Sequence, residues 1–182
     1  MTKTNNLTLS LKASEIDSNE KSYAIEATDD EKSILVERFN LVSLSAFSAE
    51  VTVKSKADMD AVLLEGHIDA ELEQACTISL KPVAETVSEN FSLLLVSPEM
   101  ANSMDEDEAY LDVDAPDYDA LEGDIVEVGE LVAQTLAISM NQYPRAEGVE
   151  LNVSASANVS VNEVELEKPN PFAALGKLKD QS

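Results

Sequence analysis

Between Val62 and Val83 the chain alternates. Val62, Leu64, Ile68, Ala70, Leu72 and Cys76 share one parity, and Glu65, His67, Asp69, Glu71 and Glu73 share the other. Side chains of a β-strand point to opposite faces in turn, so this stretch buries one face and wets the other. It predicts a long antiparallel strand or bent hairpin. Pro82 interrupts it, because proline cannot donate to a central ladder. Residues 83–96 resume as a strand, with Val83, Val87, Phe91, Leu93 and Leu95 on one parity. Glu85 and Glu89 share that parity, which predicts a sheet edge for its first half. Shorter alternations predict further strands: Leu7, Leu9 and Leu11; Tyr23, Ile25 and Ala27; and Phe47, Ala49, Val51 and Val53.

Other segments change period. Thr28-Asp29-Asp30-Glu31 is a capping-box pattern, with acids that suit the positive end of a helix dipole. It predicts a helix over 29–39, with Ile34, Leu35 and Phe39 facing inward. Val128, Leu131, Val132, Leu136, Ala137 and Met140 follow i, i+3, i+4 spacing and predict the main helix, over 127–142. Pro144 lies just past its end. The 149–166 stretch alternates weakly and reads equally as a final strand or an extended tail. Asn170-Pro171 precedes Phe172, Leu175 and Leu178, the apolar side of a short C-terminal helix. The expected fold class is α+β: a strongly curved antiparallel sheet or partial barrel with these helices packed on it. The expected organisation is one domain over 1–162 and a tail over 163–182.

The apolar fraction, 44% of 182 residues, suffices for a core, which must be aliphatic because aromatics make up only 4%. Charge changes the picture more. With 12 basic and 36 acidic residues the net charge is −24. That opposes phosphate-driven nucleic-acid binding and anionic membranes, and it favours a basic partner. The imbalance peaks between Pro82 and Pro144, where 15 acids face no Lys or Arg. Residues 97–123 therefore read as a mobile acidic loop, with a short strand near Tyr110 to Val113. Its acids, Glu99, Asp105, Glu106, Asp107, Glu108, Asp112, Asp114, Asp117 and Asp119, are the candidate partner-binding residues. One cysteine makes no internal disulfide, and neither an apolar leader nor a run of about 18 apolar residues is present. The expectation is a cytoplasmic protein with no membrane contact.

Candidate chemistry is sparse. His67, the single histidine, lies on the charged parity among carboxylates and reads as an exposed strand residue rather than a metal ligand or general base. Cys76 lies on the apolar parity and reads as a small buried hydrophobe rather than a nucleophile. The acids of 105–119 lack calcium-loop spacing, and no phosphate-binding glycine motif occurs. The residues point to no active site and no cofactor.

Three blocks together resemble the YceD family, the large ribosomal RNA subunit accumulation proteins. The first is Gly66-His67-Ile68-Asp69-Ala70 followed by Gln74, Cys76, Leu80, Pro82 and Val83. The second runs from Gly123 through Leu131 to Tyr143-Pro144-Arg145. The third is Asn170-Pro171-Phe172-Ala173-Ala174-Leu175. Gly66, Gln74, Cys76, Leu80, Pro82, Leu131, Pro144, Pro171 and Phe172 are the motif positions, mainly structural in character. Many relatives open a C-x-x-C pair at the first cysteine; here Ser79 stands at the second position, so no metal role passes to Cys76. The resemblance implies a role in accumulation or processing of large-subunit ribosomal RNA. The leading reading is a non-enzymatic biogenesis factor whose acidic surface binds a basic protein such as a ribosomal protein, with ribosomal RNA contacted indirectly. A second reading, direct RNA binding, would rest on Lys54, Lys56, Lys81, Arg145, Lys177 and Lys179, with the first three clustering if their strands are adjacent. A third, a metal-dependent hydrolase, has no recognisable constellation.

Overall fold

The computed structural model describes residues 4–106 and 116–149. The chain divides into two compact units, Met1–Val149 and Glu150–Ser182, and all described residues belong to the first. Asp107, Glu108, Asp112, Asp114, Pro171, Phe172, Lys177 and Lys179 lie outside the described residues. So do the expected strand near 110–113, nearly all of the 149–166 stretch and the C-terminal helix.

Four long neighbours make the sheet: β3 (Lys21–Glu26), β4 (Ser43–Lys56), β5 (Ala61–Ala75) and β6 (Pro82–Val96). They pair antiparallel in that order. Two short strands flank them in parallel. β1 (Thr4–Asn5) adds to β3, and β7 (Asp117–Ala120) adds to the last four residues of β6. The sheet is therefore mixed, not purely antiparallel. A separate pair joins β2 (Leu11–Lys12) to β8 (Ile125–Val126). The alternation of Leu7, Leu9 and Leu11 thus yields no single strand: only Leu11 pairs, and the Leu9 carbonyl accepts from Gly129 N–H at 3.1 Å.

The expected partial barrel does not form. The order β1-β3-β4-β5-β6-β7 leaves β1 and β7 as separate ends. Closure needs full-length strands at both edges, and these edges are two and four residues long. Helices cover the apolar face instead. α1 (Asp29–Arg38) and α3 (Val128–Ser139) contribute Leu35, Val128, Val132, Ala133 and Leu136 to a cluster with Ile25, Phe47, Val51, Val53, Leu64, Ile68, Ala70 and Leu72. Leu64, Ile68 and Leu136 are wholly inaccessible to solvent. Truncating any of them to alanine costs about 2–5 kcal/mol.

α1 starts where the sequence indicates. Thr28 Oγ1 accepts from Glu31 N–H at 3.3 Å, and Glu31 Oε2 accepts from Thr28 N–H at 2.8 Å. Arg38 in its last turn reaches α3 with two bonds to Glu130, at 2.8 and 2.5 Å, and holds that carboxyl below its ordinary range. Gly129, in the first turn of α3, lies under the N-terminal segment. A Cβ there would collide with the Leu7 carbonyl, so only glycine lets the two backbones approach.

The first part of the acidic stretch, residues 98–106, is helix rather than loop. α2 (Pro98–Glu106) begins after Ser97, whose Oγ accepts from Met100 N–H at 3.3 Å. α2 folds onto the sheet face opposite α1 and α3. Met100, Ala101 and Met104 pack there with Ala61, Leu63, Leu94, Val96, Tyr118 and Ala120 in a second cluster.

Candidate functional site

Only one end of that second face is covered by α2. The register assembles the rest. Glu50 stands opposite His67 and Thr52 opposite Glu65, while Ser48 faces Asp69 and Ala46 faces Glu71. Across β6, His67 stands opposite Asn90, Asp69 opposite Ser88 and Glu71 opposite Thr86. β3 adds Ser22, Ala24 and Glu26. Residues directly opposite in an antiparallel pair share a face. The outcome is a platform of small polar side chains carrying the exposed carboxylates Glu26, Glu50, Glu65, Asp69 and Glu71. Lys54, on the same face, is taken up by Glu65 at 3.0 Å and Glu20 at 3.4 Å. A shallow cavity of about 420 Å³ is lined by Glu26, Ser48, Glu50, His67 and Asp69, among others.

His67 sits at the centre and is half-exposed. Its Nδ1 lies 2.8 Å from Asn90 Oδ1, and its Nε2 lies 3.1 Å from Ser88 Oγ and 3.3 Å from Asp69 Oδ1. The Asn90 contact, then Asp69 and the charge of Glu50, raise its pKa above the usual histidine value. The Ser88-His67-Asn90 chain has the atoms of a nucleophile, base and orienter. Its protons run elsewhere: Ser88 Oγ donates to Asp69 at 2.8 Å. Acyl transfer would also need donors held ready for an oxyanion. The carboxylates on every side would repel one.

The motif residues gather at one end of the sheet, around the β5–β6 turn. Gln74 Nε2 donates to Glu85 Oε2 at 2.7 Å and to the Asn141 carbonyl at 3.0 Å, and Asn141 N–H donates to Glu85 Oε1 at 2.8 Å. Thr77 N–H and Oγ1 both donate to the Pro144 carbonyl, at 2.9 and 3.3 Å. Cys76 N–H donates to the Lys81 carbonyl at 2.8 Å, and Leu80 N–H to the Cys76 carbonyl at 2.9 Å. Cys76 is wholly buried, as its parity predicts. Its sulfur accepts from Ala146 N–H at 3.3 Å and Ser79 N–H at 3.4 Å. The Ser79 hydroxyl and these N–H groups lower its thiol pKa to about 6. Gln74, Cys76 and Pro144 thus clamp the chain that follows α3 onto the hairpin. Pro82 opens β6 opposite Ala75, at the start of the ladder where its missing N–H costs least. Leu131 packs against the main core from α3.

Gly66 has a separate reason. Phe91, on the same face of β6, lies over it. A Cβ at Gly66 would fall 2.8 Å from the Phe91 ring and 2.6 Å from the Glu50 carbonyl.

The candidate partner-binding acids divide. Glu99 is exposed in the first turn of α2, and Asp117 and Asp119 are exposed on β7. Asp105 and Glu106 end α2. The carboxylates of the uncovered face belong to none of these; the signal for them was the alternation itself. The three lysines of the RNA reading do not cluster. Lys54 and Lys56 stand near the β4–β5 turn, and Lys81 stands at the β5–β6 turn, on opposite ends of a 15-residue strand. Adjacent strands bring residues together only when the register does. Among the described residues, no three of His, Cys, Asp and Glu converge as a metal-binding group.

Residues 64–179 match the family model of the large ribosomal RNA subunit accumulation protein YceD. The chain belongs to the YceD family. The match begins in β5 and takes in the Cys76 clamp, β6, α2 and α3. No curated protein and no solved structure gives a significant match. The family name implies a role in accumulation of large-subunit ribosomal RNA. No helix among the described residues is long and apolar enough to cross a membrane.

Proposed function

We propose that this YceD-family protein is a non-enzymatic factor that supports accumulation of large-subunit ribosomal RNA by holding a basic protein, such as a ribosomal protein, on its acidic surface. The observation that carries the reading is the sheet face that, among the described residues, only α2 covers, and only at one end. Glu26, Glu50, Glu65, Asp69 and Glu71 stand there on a rigid four-strand platform, with helices massed on the other side. The acids of α2 and β7 extend the same charge along the chain. Complementary charge speeds encounter and suppresses wrong partners more than it adds raw affinity. A basic chain laid on this platform would exchange counterions for carboxylates and compete with Lys54 for Glu65.

The test is genetic complementation. In cells lacking the protein, wild-type chain restores large-subunit ribosomal RNA, whereas a Glu26→Gln, Glu50→Gln, Glu65→Gln, Glu71→Gln variant does not. Full restoration by the variant, expressed and folded at wild-type levels, refutes the role of this face.

A further inference from the structure

The β5–β6 turn carries a surface unlike the rest of the described residues. Eight Lys and Arg fall among the described residues, and five of them are in ion pairs with carboxylates. Lys56, Lys81 and Arg145 are in none of those pairs, and two of these three meet at this turn. Lys81 is tied to Cys76 through its carbonyl, and Arg145 lies between Pro144 and Ala146, which bond to Thr77 and Cys76. Both side chains are exposed. Beside them in the chain stand Leu80 and Tyr143, 76% and 74% exposed, two of the three most exposed large apolar residues described.

Leu80 is also in an unfavourable backbone conformation. Its φ is +59°. The other non-glycine residues with positive φ are Asn40 and Asp60, types that tolerate the left-handed region. A leucine held there and left in water contributes nothing to the core. Strain of this kind, kept by a surrounding network, points to a function.

We propose that this turn is an RNA contact: Lys81 and Arg145 bind phosphate oxygens, and Tyr143 and Leu80 pack on an unpaired base. Paired cations with an exposed aromatic fit single-stranded RNA, whose bases stack on rings while the backbone meets the charges. A basic protein partner, suited to the acidic platform, would be repelled here. Of the carboxylates near the clamp, Glu85 is engaged by Gln74 and Asn141, and Glu147 stands exposed two residues beyond Arg145. The field of the remaining acids is screened over about 8 Å at physiological salt. This inference rests on the ribosomal RNA reading and gives it a point of contact.

The experiment uses the full chain with a labelled single-stranded oligouridine and an RNA duplex of equal length, titrated over a range of salt. Wild type binds the single strand more tightly. Its log affinity falls with log salt at a slope of roughly −0.7 per contacted phosphate, about −1.4 for two. Lys81→Gln and Arg145→Gln each remove about half of that slope. Tyr143→Ala weakens binding roughly tenfold with little change in slope. Leu80→Asn weakens binding while raising the melting temperature, a pair of effects that a purely structural role cannot give. Affinity and salt slope unchanged in all four variants overturn the proposal, as does no binding of the single strand by wild type at low salt. The wider reading has its own control. If ribosomal RNA is normal without the protein, that reading fails; if it is low and the Lys81→Gln, Tyr143→Ala, Arg145→Gln variant restores it, only the RNA contact fails.

Discussion

Thr77 and Pro144 are 67 residues apart in the chain and are joined twice, through Thr77 N–H and Thr77 Oγ1 to one carbonyl. That carbonyl belongs to the segment leaving α3, so the bonds fasten the main helix to the tip of the longest hairpin. Thr77→Val keeps the shape and the backbone bond but removes the hydroxyl. It should lower stability by about 1 kcal/mol, the usual net worth of one such bond, read as a shift in the urea midpoint with unchanged m-value.

Gly66→Ala tests the close packing of β4, β5 and β6. The added methyl meets both the Phe91 ring and the Glu50 carbonyl. The expected loss is about 1–3 kcal/mol. Phe91→Leu in the same background should recover only part of it, because the Glu50 carbonyl is backbone and cannot step aside. Full recovery would show that the ring alone sets the requirement.

His67 gives the molecule a pH dependence with a definite sign. Its folded pKa is raised, first by Asn90 and then by Asp69 and Glu50. The stability it contributes is therefore fully present below the unfolded value of about 6.5 and is lost as pH rises through the higher folded value. NMR titration of its ring protons should give a midpoint above that reference. Asn90→Ala should bring the midpoint down more than Glu50→Gln does.

Protonation of His67 also places a positive charge at the centre of the acidic platform. Binding of a basic partner should therefore weaken as pH falls through the raised His67 midpoint. His67→Asn should flatten that part of the profile. A binding curve equally steep in the variant would show that other groups set it.

The legible parts of the fold were local. The Thr28–Glu31 box shows in four consecutive residues because its bonds span three. The faces of β5 show in the alternation, because a strand turns every residue over. The edge position of β6 shows in Glu85 and Glu89, and β7 indeed covers only Leu93–Val96. α2 was missed although Ser97-Pro98 is a sound helix start, with Pro at the first position; the surrounding acids masked the apolar stripe of Met100, Ala101 and Met104. The meeting of Lys81 with Arg145 had no local signal at all. It depends on bonds spanning 67 and 70 residues.

The platform is tested most directly by measuring its affinity for basic large-subunit ribosomal proteins. Purified protein, wild type and the Glu26→Gln, Glu50→Gln, Glu65→Gln, Glu71→Gln variant, would be titrated with each of them at low and high salt. The account predicts that at least one binds wild type at low salt, that salt weakens it, and that the variant loses about tenfold or more in affinity at low salt. Equal affinity for variant and wild type, or no binding by any basic ribosomal protein at low salt, would contradict it.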